Sequence, residues 1–292
     1  MTLTQSTSLE NDKMDQSVEK LDRLKGILRQ MDKMLVAFSG GVDSTFLLKI
    51  CKEVLGDKVV AITAASSTYS SQELRESKSI AKSLGVEHVV IETLEVEDER
   101  FTSNPPDRCY YCKKELFSRL LEVAHKQGLN YILDGSNTDD TRDYRPGSRA
   151  AEELHVRSPL REAGFTKNEI RELSRKMNLP TSDKPPEACL ASRIPYGDRI
   201  TREKLLQVEK AEEILRATGI RQVRVRHHGN IARIEIPLTD FQALLTKSTS
   251  SGLVREIKRL GYDYVTLDLE GYRTGSMNEP LKKQVANNSN EN

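Results

Sequence analysis

Three of the four cysteines in this 292-residue chain stand where chemistry is expected. Cys109 and Cys112 form a Cys-x-x-Cys pair in "DRCYYCKKELF", at the head of a stretch with helical spacing. Such a pair holds zinc, ligates an iron–sulfur cluster or cycles as a disulfide, and its spacing leaves all three open. Cys189 lies in "SDKPPEACLASRIPYGDR", an irregular charged stretch of the kind that often carries function. Lys184 and Arg193 are close enough in sequence to stabilise a thiolate there. The bland alternative is a half-buried, inert thiol. Cys51 shares helical apolar spacing with Phe46, Leu47, Ile50 and Val54 and reads as a small core residue. Three thiols leave a structural zinc site one ligand short, and His125, His155, His227 and His228 lie elsewhere. A [4Fe–4S] cluster held by three thiolates would leave one iron open.

A second constellation is "AFSGGVDSTFLL". It lacks the Lys-Ser/Thr of a Walker A loop and is not a G-x-G-x-x-G turn. It still has the makings of an anion site. Gly40 and Gly41 allow a tight turn with inward N–H groups. The helix that follows contributes its positive end, and Ser39 and Ser44 bring hydroxyls. Asp43 would repel a phosphate, so it is expected to reach Mg2+ or to cap the helix. A third candidate is "QVRVRHHG", where Arg224 and Arg226 are two apart on a predicted strand. That spacing puts both guanidinium groups on one face, a geometry suited to clamping a phosphate. A solvated strand face is the plain alternative.

These residues need a scaffold that brings strand ends and helix starts together. "MLVAF", "KVVAITAAS", "EHVVIET" and "YILDGS" are short apolar runs separated by helical stretches. That alternation predicts an α/β fold, a Rossmann-like parallel sheet with helices on both faces. After Ile200 the pattern changes. A long helical stretch ends at Gly219, and apolar alternation flanks "HHGN", the signature of a hairpin turning at Gly229–Asn230. Four segments follow: a disordered tail over 1–17, a nucleotide-type domain over 18–200, a smaller α+β domain over 201–275 for substrate or oligomerisation, and a second tail over 276–292.

Composition narrows the class. With 45 basic and 44 acidic residues the formal charge is +1, which gives no global footprint for nucleic acid. No run approaches the ~20 apolar residues of a membrane span. "MTLTQSTSLENDKMDQS" lacks the apolar core of a secretory signal, so a cytoplasmic protein is expected.

"SGGVDS" resembles the PP-loop of the ATP pyrophosphatases, which cleave ATP to AMP and pyrophosphate while adenylylating an acceptor. The resemblance implies a five-stranded parallel sheet. It implies that "DGSNTDD" (134–140) is a second signature, with Gly135 and Asn137 lining the crevice, and that Thr63 at the end of the second strand approaches the adenosine. Ligands of such sheets bind at the carboxyl ends of the strands, where these stretches fall.

A larger set of strings is more specific: "RCYYCKKELF", "DYRPGSRAAEE", "SPLREAGFTKNEIRELSR", "KPPEACLASRIPYG" and "RVRHHGNIARIE". With the loop, they resemble the LarE family over residues 18–275. That family is an ATP-dependent sulfur transferase that makes the nickel-pincer cofactor of lactate racemase. The resemblance implies that carboxylates of pyridinium-3,5-biscarboxylic acid mononucleotide are activated with ATP and Mg2+ and become thiocarboxylates. It implies Arg224 and Arg226 as the substrate-phosphate site, with Arg145 and Arg149 as weaker candidates. Members form trimers or hexamers, so a homo-oligomer is expected. One variant has a single cysteine matching Cys189, which gives up its sulfur. The other uses three cysteines to hold a [4Fe–4S] cluster that is reloaded with sulfide from a donor. Cys109, Cys112 and Cys189 match the second.

Readings from other classes are a tRNA thiolase, an ammonia-using ligase and a zinc-binding adaptor. A tRNA thiolase would favour a basic surface, a ligase has no use for three cysteines, and an adaptor leaves "SGGVDS" unexplained.

Overall fold

The computed structural model describes residues 3–142, 146–250, 252–273 and 275–278. In chain order the elements are α1 (Leu3–Arg29), β1 (Met34–Ala37), α2 (Val42–Leu55), β2 (Val59–Ala65), α3 (Ser71–Ser83), β3 (Glu87–Glu92), α4 (Glu99–Thr102), α5 (Arg108–Gln127), β4 (Tyr131–Leu133), α6 (Pro146–Glu153), α7 (Pro159–Glu162), α8 (Lys167–Lys176), α9 (Arg202–Arg216), β5 (Arg224–His228), β6 (Ile231–Glu235), α10 (Phe241–Ser250), α11 (Leu253–Arg259) and β7 (Tyr264–Leu267).

They fall into two compact units. The first takes the chain to Ser66, then Ser71–Glu95 and Asp107–Glu187. Its sheet is parallel in the order β3-β2-β1-β4, with Met34 opposite Val59 and Tyr131. The central strands β1 and β2 are almost wholly buried, as their unbroken apolar runs require. Helices α1, α2 and α8 pack Leu24, Leu28, Phe46, Ile50 and Ile170 into the core, and the Phe46 and Phe165 rings meet edge-on at 5.7 Å. The α/β parallel fold expected from the sequence is therefore present. The fifth strand is reduced to a single parallel bridge between Leu133 and Arg157. The helix α1 starts at Leu3, so residues 3–17 of the expected tail are helical; polar composition alone does not prevent helix formation.

The second unit holds Ser67–Ser70, Val96–Pro106 and the chain from Ala188 onward. In the C-terminal stretch it therefore begins at Ala188, ahead of Ile200. Backbone pairing explains why the two short excursions join it. Ile200 N–H donates to Thr102 O at 2.8 Å, and Leu190 N–H donates to Thr68 O at 2.8 Å. Buried Asn104 donates its side-chain amide to Pro195 O and Asp198 O at 2.7 and 3.0 Å. Its sheet runs β5-β6-β7. β5 and β6 are the expected hairpin, with Gly229 at φ +61° in the turn, and β7 runs parallel to β6. The expected tail over 276–292 begins with an ordered turn at Ser276–Asn278, and residues 279–292 lie outside the described residues. No helix among the described residues is long and apolar enough to cross a membrane.

Candidate active site

The loop after β1 turns through Gly40 at φ +70°, which a side chain would resist. A Cβ there would also lie 3.2 Å from Ser77 Cβ on α3. Gly41 is the N-cap of α2, and no side chain caps it. The first N–H groups of α2 are thus left for another acceptor, the arrangement that binds phosphates. Ser39 and Ser44 hydroxyls are 3.1 Å apart, and Ser44 also donates to Gly41 O at 3.2 Å.

The second loop presses against the first. A Cβ on Gly135 would come within 3.0 Å of Ser44 N, so this glycine is required by close backbone approach. Asp134 accepts from Ser136 and Ser158 hydroxyls, each at 2.7 Å, fixing the loop's start. Buried Asn137 shapes the turn: its Oδ1 accepts from Asp139 N–H at 2.9 Å, and its own N–H donates to Asp140 Oδ2 at 3.0 Å.

Asp43 does not cap α2. Its Oδ2 accepts from Lys167 Nζ at 2.5 Å, while its Oδ1 is buried with no hydrogen-bond partner among the described residues. Burial pushes this carboxyl above its usual range, against the pull of Lys167. An orphaned carboxylate oxygen beside a phosphate loop is a fit for Mg2+. Thr63 is a positioning residue. Its hydroxyl donates to Phe38 O at 2.7 Å, so His88 Nε2–H must donate to it at 2.8 Å. That contact braces the residue just before the loop. Lys184 reaches the other side of the loop, donating to Gly40 O at 3.3 Å and Glu76 at 2.7 Å. These contacts tie it to the loop.

None of the four cysteines forms a disulfide. Cys51 is fully buried, and burial pushes its thiol far up, as suits an inert core residue. Cys109 and Cys112 occupy the first turn of α5, three residues apart and so on one face, the first exposed and the second half-buried. Tyr110 anchors that turn by donating to Glu153 at 2.7 Å, with the Arg149 guanidinium 3.9 Å from its ring centre. Arg149, a weaker phosphate candidate in the sequence, thus lies over this ring. Arg145 lies outside the described residues.

In the second unit, half-buried Cys189 opens a short turn, Leu190–Arg193. Arg193 donates to Cys189 O at 3.0 Å and also to Ala188 O. Its other edge makes two bonds to the fully buried Glu212, at 2.8 and 3.1 Å. Arg193 thus holds the backbone of Cys189 while its charge is matched inside the protein. Arg224 and Arg226 share a face of β5, but both are only 5% exposed. Arg226 is paired with Glu235 at 2.7 Å and donates to Ser276 and to Ser192 O. Arg224 donates to Val223 O at 2.8 Å, and burial, with Arg193 nearby, pushes its guanidinium down. Among the described residues no group of three or more His, Cys, Asp or Glu side chains is drawn together as a metal site.

Comparison with known proteins agrees with this geometry. The family model described as NAD synthase matches residues 18–108, the span of the glycine loop. A pyridinium-3,5-bisthiocarboxylic acid mononucleotide synthase of Lactiplantibacillus plantarum is 40% identical over 265 residues, 89% of this chain and 94% of that protein. The chain belongs to the LarE family. It is therefore an ATP-dependent enzyme of the PP-loop superfamily. An uncharacterized protein of Synechocystis is 45% identical over 90% of this chain and 98% of its own length. A tRNA-specific 2-thiouridylase of Caldanaerobacter subterraneus is 27% identical over 62% of this chain and 61% of its own length.

Against this LarE background, the structure brings Ser39, Gly40, Gly41, Asp43, Ser44 and Gly135 together around one helix start. The residues that the sequence reading passed over are charged groups that act at a distance along the chain. Lys167 is 124 residues from Asp43, and Glu212 is 19 from Arg193. Lys167 did have a local signal, since Thr166 and Glu169 form a capping box that places it at the first position of α8.

Proposed function

We propose that this protein adenylylates the carboxylates of pyridinium-3,5-biscarboxylic acid mononucleotide and converts them to thiocarboxylates in nickel-pincer cofactor biosynthesis. The observation that carries the reading is the likeness over nearly the whole of both chains to the synthase named for that bisthiocarboxylic product. The uncapped start of α2 beside Ser39 and Ser44 supports it.

A carboxylate resists attack because it is charged and has no competent leaving group. Transfer of AMP removes the charge and supplies one. In this reading the N–H groups after Gly41 hold the pyrophosphate side of ATP, and the orphaned Asp43 oxygen meets Mg2+, which would screen phosphate charge. Gly135 lets the second loop close on the nucleotide. Arg193 fixes the backbone of Cys189, so its sulfur is held by a braced turn. The substrate phosphate would meet Arg224 first, since Arg226 already carries Glu235.

For the sulfur source, the reading takes Cys109, Cys112 and Cys189 as ligands of a [4Fe–4S] cluster. The donor set fits in kind: three thiols outside disulfides, none fully buried. When bound, such a cluster would supply an iron with an open position for sulfide from a donor. The second reading is the sacrificial one, in which Cys189 itself gives up sulfur. The half-exposed thiol on a clamped turn favours keeping it. We place the protein in the cytoplasm as a homo-oligomer, without nucleic acid as partner.

The test is anaerobic purification, iron and sulfide analysis, and turnover counting. Iron-containing protein of unchanged mass after many turnovers is expected. Loss of one hydrogen sulfide from Cys189 in a single turnover would replace the cluster reading with the sacrificial one.

A further inference from the structure

The glycine loop carries a contradiction. It is shaped for polyphosphate, yet Asp43, the second residue of α2, puts a carboxylate into the first turn. A bare negative charge there repels the ligand that the backbone is arranged to hold. The structure supplies a counter-charge from far along the chain. Lys167 Nζ donates to Asp43 Oδ2 at 2.5 Å, with both side chains largely shielded from water at 31% and 22% exposure.

The lysine is held by more than this one contact. It is the first residue of α8, where Thr166 and Glu169 form a reciprocal capping box. Its backbone N–H donates to Asp139 Oδ2 at 2.8 Å, in the turn that follows Gly135 and Asn137. Glu169 is also gripped by Lys20 Nζ at 2.7 Å. The Lys167 side chain therefore projects from a fixed helix start, and its backbone is tied to the second loop. A flexible surface lysine finding a chance partner has none of these supports.

We infer that Lys167 is a positioning residue that screens and orients Asp43, so that an acidic loop position is compatible with binding the triphosphate of ATP. It grips one carboxylate oxygen and leaves the other, buried Oδ1, without a protein partner among the described residues. Lys167 acts on the nucleotide through Asp43 and not by touching the phosphates. The inference rests on the loop being the ATP site.

The test is calorimetric binding of a non-hydrolysable ATP analogue to the full-length protein, in EDTA so that no metal masks the loop charge. Wild type, Lys167→Met, Lys167→Arg, Asp43→Asn and the double variant Asp43→Asn/Lys167→Met are compared. Lys167→Met should bind about tenfold more weakly, the scale of one lost charge-assisted contact. Lys167→Arg should retain most of the affinity. The decisive sample is the double variant, which should bind within about twofold of Asp43→Asn alone, the scatter expected between independent sites. A double variant as weak as Lys167→Met would overturn the inference, because Lys167 would then act without Asp43. So would a Lys167→Met protein of wild-type affinity. The methionine variant keeps the backbone bond to Asp139, so collapse of the second loop is not built into it, and a thermal melt checks its fold. Wild type that fails to bind the analogue even when Mg2+ replaces EDTA would refute the ATP assignment itself, and the inference falls with it.

Discussion

Arg193 and Glu212 form a two-pronged ion pair sealed from water, with 2% and 0% of their side chains exposed. Glu212 also accepts from Arg216 at 2.7 Å and from the backbone N–H of Val225 at 3.0 Å. It joins α9, β5 and the turn that opens with Cys189. Breaking such a pair strands a buried charge, which costs about 3–5 kcal/mol. Glu212→Gln should lower the unfolding free energy of the protein by about that amount, read by urea titration. A loss below about 1 kcal/mol would mean that the pair is not closed in solution.

The same carboxylate sets an acid limit. Burial alone would raise its pKa, but Arg193, Arg216 and Arg224 outweigh it and hold Glu212 below its ordinary value of 4.5. A depressed carboxyl contributes stability that is complete above the unfolded value and is lost as pH falls through the folded one. The melting temperature should fall as pH drops below 4.5, and Glu212→Gln should flatten that fall. An unchanged acid slope in the variant would contradict the assignment.

Glu187 has the opposite sign. Partial burial of its carboxyl, a hydrogen bond to Glu73 and the charges of Glu73 and Glu76 push that carboxyl up to about 7, although the residue as a whole is exposed. The folded protein then holds a proton that the unfolded chain releases, so stability declines as pH rises from 4.5 to about 7. Glu187→Gln should remove this decline, measured as the melting temperature between pH 5 and 8 in steps of about one unit. A steeper decline in the variant would show that another group is responsible.

Gly135→Ala places a methyl group 3.0 Å from Ser44 N, against backbone that cannot swing away. The expected cost is about 1–3 kcal/mol of stability, with weaker nucleotide binding because the second loop is pushed off α2. Calorimetry and urea titration on one sample read both. Full affinity in a stable variant would show that the two loops are not in contact when nucleotide binds.

The cysteines divide by role. Cys189→Ala should abolish sulfur transfer, and Cys109→Ala or Cys112→Ala should abolish repeated turnover. Cys51→Ala should leave transfer intact and cost about 1–2 kcal/mol as a small buried cavity. Turnover counts for the four variants check this, and repeated turnover by Cys109→Ala would sink the cluster reading.

What could be read from the sequence was local. The alternation of apolar runs and helices showed the parallel sheet, the hairpin at Gly229–Asn230 and the glycine turn into α2, because each depends on residues within a few positions of one another. Gly135 was legible only through the family resemblance, since nothing in its neighbours reveals that Ser44 lies against it. Long-range ion pairs were hidden for the same reason. Arg224 and Arg226 read as a clamp for a ligand, but Glu235 is brought to Arg226 by the hairpin pairing. Thr63 sits at the expected strand end, yet its hydroxyl serves Phe38 because the parallel register sets the two side by side. The full extent of the second unit was hidden most deeply. That unit gathers Ser67–Ser70 and Val96–Pro106 out of the sheet domain through backbone bonds that have no sequence signature.

Sulfur transfer is read by incubating anaerobically purified protein with ATP, Mg2+, sulfide and pyridinium-3,5-biscarboxylic acid mononucleotide, and following the small molecules by mass spectrometry. AMP and pyrophosphate should form while one oxygen of each carboxylate is replaced by sulfur, in two successive steps. ATP cleavage that leaves the pyridinium carboxylates unaltered, or no cleavage in the presence of that substrate, would contradict the proposed function.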